Sequence, residues 1–241
     1  MRQLEGMDER YWDEPYGGRD QLFSGNPNGV LVTEVTGLPP GQALDVGCGE
    51  GADAHWLARH GWMVTAVDIS RIALERAAKV SGNAADEFAS IAPDRAALAA
   101  GAPGRVTGVA AMAGSDTAKT TPAGGVCWTH ADLAVTPPPA RSFDLVSVQY
   151  FPLTKEKPAL DGLLAAVAPG GTLLVVGHDP ADLPPEFDRS DYYWPAEIAE
   201  LLGDGWTARV NETRRRVTPP PPGIPHVNDT VLRAERHGQA G

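Results

Sequence analysis

The sequence predicts an α/β fold: a doubly wound, mostly parallel seven-stranded sheet with an antiparallel C-terminal strand. Two observations lead to this fold class. Short apolar segments alternate with helix-like segments along most of the 241 residues, which is typical of parallel strands joined by helical crossovers. The last two strand-like segments are separated only by the proline-rich stretch "TPPPPGIP", so we expect them to pair with each other across it.

The first two strands and helices are predicted from residues 43–80. "ALDVG" and "MVTAVD" are short, almost wholly apolar runs, as expected for strands buried on both faces of a parallel sheet. "ADAHWLARHG" lies between them and predicts a helix that Gly61 ends. "SRIALERAAKV" starts with Ser70, a good N-cap residue, and continues with apolar residues at helical spacing.

The rest of the chain divides into an insertion and a second run of strands. We predict an N-terminal cap or lid over residues 1–40 and one domain over residues 41–241, with an Ala/Gly-rich insertion at about 83–126. The insertion includes a short helix near "DRAALAA" and a mobile loop at "GSDTAKTTPAGG". Further strands are predicted at "VCWTHAD", "FDLVSVQ", "TLLVVGH", "WTARVNETRR" and "DTVLRAER", and helices at "KEKPALDGLLAAVA" and "PAEIAELLG".

Composition argues against several classes of partner. A formal net charge of −11 disfavours nucleic acid and anionic membranes, and no apolar run approaches the roughly 20 residues that span a bilayer. The basic run at 214–216 is interpreted as a solvated face. Cys48 and Cys127 are too few for a disulfide framework, and Cys127 with His130 forms only half of a zinc motif. We therefore expect a cytoplasmic protein without a metal, either a monomer or a homodimer.

The glycine turn at "DVGCGEGA" is compatible with two classes of cofactor. Gly47, Gly49 and Ala52 satisfy a loose dinucleotide-binding pattern, and Asp68 follows at the spacing of the acid that holds the ribose of NAD. Asp45, at the end of the first strand, would repel a pyrophosphate docked on the next helix. A ligand that carries an ammonium group and no phosphate would be attracted instead. S-adenosylmethionine is such a ligand.

The same residues carry a family resemblance. "LDVGCGEG" followed by "VDIS" resembles the first two motifs of the class I S-adenosylmethionine-dependent methyltransferases. "HADL", "FDLVSVQYF" and "VAPGGTLLVVGHDP" resemble that family's adenine-binding, fourth-strand and fifth-strand regions. Upstream, "YWDEPYGG" and "FSGNPNGVLV" are similar to the tellurite-resistance and thiopurine methyltransferase branch. The insertion is about twice as long as the family leads one to expect.

This resemblance implies a Rossmann-like fold, S-adenosylmethionine as cofactor and a small-molecule acceptor. Cys48 is interpreted as a small residue that fits the turn, rather than as a nucleophile. The positions that the resemblance assigns to the cofactor are Asp45, Gly47, Cys48 and Gly49 at the methionine end, Asp68 at the ribose, Ile69, Asp132 and Leu133 at the adenine, and Gln149 near the sulfonium.

The expected acceptor side combines strand ends with the aromatic N-terminus. We expect Tyr150 and His178 to be the catalytic residues, although His178 is open to two interpretations: a base that deprotonates or orients the acceptor, or a structural residue. A thiolate would need no base, whereas a phenol or a protonated amine would need one. The expected acceptor contacts are Tyr11, Trp12, Tyr16, Phe23 and Phe151, the first four serving either as a cover over the site or as core.

Two other functions stay open at this point. An NAD-dependent oxidoreductase is disfavoured by Asp45 and by the lack of a plausible Tyr-x-x-x-Lys hydride-relay motif. A non-catalytic module that binds S-adenosylmethionine as a sensor would share every cofactor residue named above.

Overall fold

The computed structural model describes residues 8–18, 21–80, 124–156, 159–184, 186–217 and 226–238. The strands are β1 Gln42–Val46, β2 Met63–Asp68, β3 Gly125–His130, β4 Phe143–Gln149, β5 Val167–His178, β6 Trp206–Arg215 and β7 Asn228–Arg236. The α-helices in these ranges are α1 Glu9–Gly17, α2 Gly29–Val35, α3 Ala52–Arg59, α4 Arg71–Val80, α5 Ala159–Ala166 and α6 Pro195–Leu201.

The strands form a seven-stranded sheet in the order β3-β2-β1-β4-β5-β7-β6. Every neighbouring pair from β3 to β5 is parallel, whereas β7 is antiparallel to both β5 and β6. The predicted Rossmann-like fold class is therefore confirmed, including its antiparallel C-terminal strand. The strand order reverses between β1 and β4, and ligands bind beyond the carboxyl ends of the strands at such a point.

Two hydrophobic cores cover the two faces of the sheet. One packs α2, α3 and α4 against the sheet, and the other packs α5 and α6 against the opposite face. Neighbouring residues of β1 alternate between them: Ala43 belongs to the first core and Leu44 to the second. This alternation explains why β1 is an uninterrupted apolar run up to Asp45.

The segment predicted as a cap or lid differs along its length. Val30, Leu31 and Val35 of α2 are buried members of the first core. In contrast, neither core includes a residue from the described part of the chain before Val30. The lid therefore stays a prediction, and one that we now restrict to the residues up to Phe23.

Two predicted boundaries differ from the structure, and one predicted segment lies outside the described residues. The helix predicted to continue to residue 168 ends at Ala166, and β5 begins at once with Val167. The "PGG" stretch lies inside β5, beside a register irregularity between Phe143 and Leu145 of β4. The predicted helix at "DRAALAA" and nearly all of the predicted mobile loop lie outside the described residues.

Candidate cofactor and acceptor site

A cleft opens at the carboxyl ends of β1, β2 and β4, next to the glycine turn. Gly47 and Gly49 have φ of 65° and 52°, a region that side chains rarely tolerate. A Cβ on Gly47 would lie 2.5 Å from Cδ2 of Phe151, so the ring packs directly on the bare backbone. The residues that line the cleft are Trp12, Gly47, Val67, Asp68, Ile69, Ala131, Asp132, Leu133, Ala134, Phe151, Pro152, Thr154, Glu156 and Ala159.

Asp68 ties the glycine turn to the start of α4. One carboxylate oxygen accepts the Gly49 N–H at 2.8 Å, and the other accepts the Ser70 N–H at 2.8 Å. Burial raises the pKa of Asp68, and these backbone hydrogen bonds oppose the rise. A carboxylate oxygen has two acceptor sites, so Asp68 can still accept hydrogen bonds from a ligand in the cleft.

Asp45 is a buried carboxyl group with an unused oxygen. It is 2% exposed, and its Oδ2 has no hydrogen-bond partner among the described residues. Burial raises the pKa of Asp45 well above its ordinary range, and the charges of Asp53 and Asp68 raise it further. An ammonium group close to these carboxylates would favour their ionised forms, so this end of the turn fits an amino-acid ligand and does not fit a phosphate.

The adenine-side residues predicted from sequence lie together in the wall of the cleft. Ile69, Asp132 and Leu133 all line it. Oδ1 of Asp132 accepts the Ala134 N–H at 2.9 Å, so this carboxylate also shapes its own turn. The Ile69 carbonyl lies 2.9 Å from Nε2 of His130, which links the ends of β2 and β3.

Four of the predicted cofactor residues are not among those that line the cleft: Asp45, Cys48, Gly49 and Gln149. Cys48 packs against the first core, and burial, followed by the charges of Asp68 and Asp45, raises the pKa of its thiol. A thiol held in its protonated form is a poor nucleophile. Gln149 donates to Oγ of Ser147 at 3.1 Å, and its own Oε1 is buried without a partner among the described residues.

Aromatic residues of the N-terminal segment lie over the glycine turn. Trp12 lines the cleft, while a Cβ on Gly49 would lie 3.0 Å from the hydroxyl of Tyr16 and 3.6 Å from the Phe23 ring. Tyr16 is 5% exposed, whereas Tyr11 and Phe23 are more than half exposed. The segment therefore combines one buried ring with rings that stand at the rim of the site.

Glu50 fixes this segment in place. Its carboxylate accepts the N–H groups of Leu22 and Phe23 at 3.0 and 2.9 Å, and it pairs with Arg76 at 2.8 Å. The same guanidinium donates to the Tyr16 carbonyl. Burial raises the pKa of Glu50, but the two amides and Arg76 outweigh it, and the net shift is downward. Sequence reasoning missed Glu50, although its place inside the glycine motif was a usable signal.

A second group of polar residues, the Tyr150 cluster, lies where β4, β5 and β7 end or begin. It consists of Tyr150, His178, Arg216, His226 and Asp229. The Tyr150 hydroxyl donates to Oδ1 of Asp229 at 3.0 Å. The His178 ring stacks 4.7 Å from Tyr150 and 4.2 Å from His226, and the Arg216 guanidinium lies 5.0 Å from the centre of the Tyr150 ring. The two predicted catalytic residues therefore touch each other.

The backbone of Tyr150 supports a functional role for the cluster. Its φ is 53°, which is uncommon for a residue with a bulky side chain and is often found at functional sites. Tyr150 lies between Gln149 at the end of β4 and Phe151 in the cleft wall. Its side chain contacts the first core, whereas that of Phe151 contacts the second.

His178 is held in its neutral form. Burial, followed by the neighbouring His226 and Arg216, lowers the pKa of His178 to about 4. Its Nδ1 is buried without a partner among the described residues. A neutral ring is free to accept a proton at neutral pH, but so low a pKa means that it would hold that proton weakly.

The basic run at 214–216 was expected to be a solvated face, and this expectation is wrong for two of its three residues. Arg214 is 25% exposed and pairs with the buried Glu34 at 2.7 Å. The Arg216 side chain is 18% exposed and faces Tyr150 and Asp229. Only Arg215 points to solvent. β-Strand alternation places the first and third residues of the run on the same, packed side.

The low pKa of His178 predicts a pH dependence of stability. The folded pKa of about 4 lies below the ordinary 6.5, so between these values the unfolded chain binds a proton that the folded protein does not. Stability therefore falls as the pH is lowered from 6.5 towards 4.

We expect His178→Gln to reduce that loss of stability by about 1 kcal/mol after allowance for solvent screening. Urea unfolding at pH 7.5 and 5 measures it. His237→Gln, at an exposed position, should behave like the wild type; equal losses in all three proteins would contradict the neutral assignment.

Comparison with known proteins identifies the family. A family model described as "Methyltransferase domain" matches residues 31–220. The chain belongs to this family. The protein is accordingly an enzyme, a methyltransferase, and the matched range includes the glycine turn, every cleft residue except Trp12 and three of the five residues of the Tyr150 cluster.

Solved structures share the fold of this methyltransferase at low sequence identity. The N-methyltransferase NodS from Bradyrhizobium japonicum, in complex with S-adenosyl-L-homocysteine, is 15% identical over 95% of this chain and 99% of its own, with a TM-score of 0.61. A protein described for converting a disulfide bond into a thioacetal group during echinomycin biosynthesis is 21% identical. The match covers 98% of this chain and 93% of that protein, with a TM-score of 0.61. TehB from Haemophilus influenzae is 14% identical, covers 95% and 66%, and scores 0.56.

One curated relative matches a short stretch. The ribosomal RNA small subunit methyltransferase C of Alcanivorax borkumensis is 54% identical over 35 residues, which are 14% of this chain and 11% of that protein. The match thus spans about a ninth of the relative's length. None of the described helices of the present chain is long and apolar enough to cross a membrane.

Proposed function

We propose that this methyltransferase uses S-adenosylmethionine and transfers its methyl group to a small-molecule acceptor by in-line displacement. One observation carries the proposal: a glycine turn with bare backbone lies beside two buried carboxyl groups, Asp45 and Asp68. Such a turn suits a ligand that brings an ammonium group and ribose hydroxyls. It does not suit a pyrophosphate, so the site favours methyl transfer over the NAD chemistry left open by the sequence.

Each part of the cofactor would be bound by a different set of residues. Gly47 and Gly49 allow the backbone to approach the methionine end, where Asp45 would balance the ammonium charge. Asp68 would accept hydrogen bonds from the ribose hydroxyls. Ile69 and Leu133 would enclose the adenine, and Asp132 would accept from its amino group.

The protein's own contribution is alignment and exclusion of water. When bound, the cofactor supplies an activated methyl group on a sulfonium. Phe151 and Trp12 are apolar walls of the cleft, while the segment held by Glu50 covers the turn. Correct alignment of two reactants can lower a barrier by about 7–11 kcal/mol, so the reaction needs no dedicated nucleophile from the protein.

We further propose that the chain belongs to the tellurite-resistance and thiopurine methyltransferase branch. The motifs around Trp12 and Phe23 support this assignment, and TehB is among the proteins of similar fold. The N-methyltransferase NodS has the same fold and is named for methylation at nitrogen, so fold alone leaves the acceptor atom open.

Transfer of a labelled methyl group tests the proposed function. The purified protein is incubated with methyl-labelled S-adenosylmethionine and the small-molecule fraction of a cell extract. We expect labelled products and an equal amount of S-adenosylhomocysteine, with both signals strongly reduced in Asp68→Ala. Cofactor binding without any labelled product would favour the non-catalytic module, and absence of binding would contradict the assignment of the cofactor.

A further inference from the structure

The Tyr150 cluster contains a cation with unused hydrogen-bonding capacity. Among the described residues, the Arg216 side chain makes one ion pair, to Oδ1 of Asp229 at 3.6 Å. That separation is longer than a charge-assisted hydrogen bond of 2.7–2.9 Å. A guanidinium has five N–H donors, so Arg216 can engage a further anion while it stays over the Tyr150 ring.

The two histidines of the cluster are also incompletely satisfied. Nδ1 of His178 and Nδ1 of His226 are buried, and neither has a hydrogen-bond partner among the described residues. Buried polar atoms in native proteins nearly always have partners. Two such atoms on rings stacked 4.2 Å apart indicate that the cluster is built to bind a polar group.

The charges around the cluster favour an anion over a cation. Asp229 is already engaged by the Tyr150 hydroxyl and by Arg216. Asp182 accepts the N–H groups of residues 227 and 228 at 2.9 and 3.1 Å, and Asp53, whose charge also acts on Tyr150, accepts two N–H groups of Asn28 at 2.7 Å. The positive potential of Arg216 helps to keep His178 neutral. Burial disfavours a charge of either sign, but the guanidinium also repels a protonated amine and attracts an anion.

We propose that Arg216, with His178 and His226, binds an anionic oxygen group of the methyl acceptor, such as a carboxylate. This inference rests on the proposed function, because it treats the cluster as the acceptor side of the same site. No residue of the cluster lines the cleft itself. The link between the two is Phe151, which packs on Gly47 in the cleft and directly follows Tyr150 in the chain. The acceptor class is then an organic acid, and not an amine.

Three ring compounds that differ in charge test this proposal. Benzoate, benzamide and benzylamine are titrated by calorimetry into protein saturated with S-adenosylhomocysteine. We expect benzoate to bind at least tenfold more tightly than benzamide, and benzylamine to show no binding. Arg216→Gln should weaken benzoate at least tenfold and leave benzamide unchanged, since it removes a charged partner but keeps a polar side chain. Arg209→Gln lies in β6, the strand that Arg216 directly follows; Arg209 is 51% exposed and pairs with Glu235, so this variant should leave benzoate binding unchanged.

A second measurement follows the titration of His178 by NMR. A bound anion stabilises the imidazolium, so benzoate should raise the NMR titration midpoint of His178 in the wild type and not in Arg216→Gln. Equal affinity for benzoate and benzamide in the wild type, or an unshifted midpoint, would overturn the proposal without use of any variant. Failure of the proposed function is distinguishable: S-adenosylhomocysteine would then not bind, while the benzoate comparison could still be made on unloaded protein.

Discussion

Asp68→Ala is expected to weaken S-adenosylmethionine binding by about 10- to 150-fold, because the loss of hydrogen bonds to a charged partner costs roughly 1.5–3 kcal/mol net. The carboxylate lines the cleft and also holds the N–H of Gly49, so its loss removes a ligand contact and loosens the glycine turn. Calorimetry with S-adenosylmethionine measures the change, and circular dichroism checks that the fold persists.

Asp144 provides a matched control for this substitution. Like Asp68, it accepts a backbone N–H group, here that of Gln42 at 2.8 Å. Gln42 is the first residue of β1, so this contact lies at the end of the strand opposite to the glycine turn, and Asp144 is exposed. Asp144→Ala should leave cofactor affinity unchanged. Unaltered affinity in Asp68→Ala would refute the ribose assignment.

Removal of residues 1–23 is expected to leave a folded domain with much weaker cofactor retention. Neither core contains a residue from the described part of this segment, so the sheet and its helices keep their packing. The deletion uncovers the glycine turn, where Tyr16 and Phe23 lie within 4 Å of a Cβ built on Gly49. We expect turnover to be abolished and cofactor dissociation to be at least tenfold faster, measured by stopped-flow fluorescence.

A milder variant separates the cover from the fold. Glu50→Gln keeps the size of the side chain but weakens its bonds to the amides of Leu22 and Phe23 and its pairing with Arg76. It should accelerate cofactor dissociation less than the deletion does, with no change in the melting temperature beyond a few degrees. Unfolding of the deletion variant would instead show that the segment is part of the core.

The cofactor side of the site was largely predictable because its signals are local. Gly47, Gly49 and Asp68 lie on one strand–helix–strand unit, so motif spacing and strand burial place them together without knowledge of the rest of the fold. Local signals also predicted the limits of β4 and β6, which agree with the structure. The start of β5 was misplaced because "PGG", an ordinary turn signal, lies within the strand at a register irregularity.

The acceptor side was less predictable because its contacts join distant parts of the chain. Tyr150 and Asp229 are 79 residues apart in sequence, and they meet only because β7 inserts between β5 and β6. Sequence patterns gave Arg216 no partner, so a solvated face was the simpler expectation. Tyr150 was predicted from the family resemblance of the fourth-strand region, and His178 because it ends a strand at the ligand edge of the sheet.

The amino-acid end of the cofactor offers the most direct test of the central claim that Asp45 and the glycine turn receive an ammonium-bearing ligand. The wild-type protein is titrated by calorimetry with S-adenosylmethionine, with 5′-methylthioadenosine, which lacks the amino-acid end, and with NAD. We predict one site per chain for S-adenosylmethionine, binding at least tenfold weaker for 5′-methylthioadenosine, and no binding of NAD. Binding of NAD in preference to S-adenosylmethionine, or equal affinity for the two adenosine thioether compounds, would contradict the account.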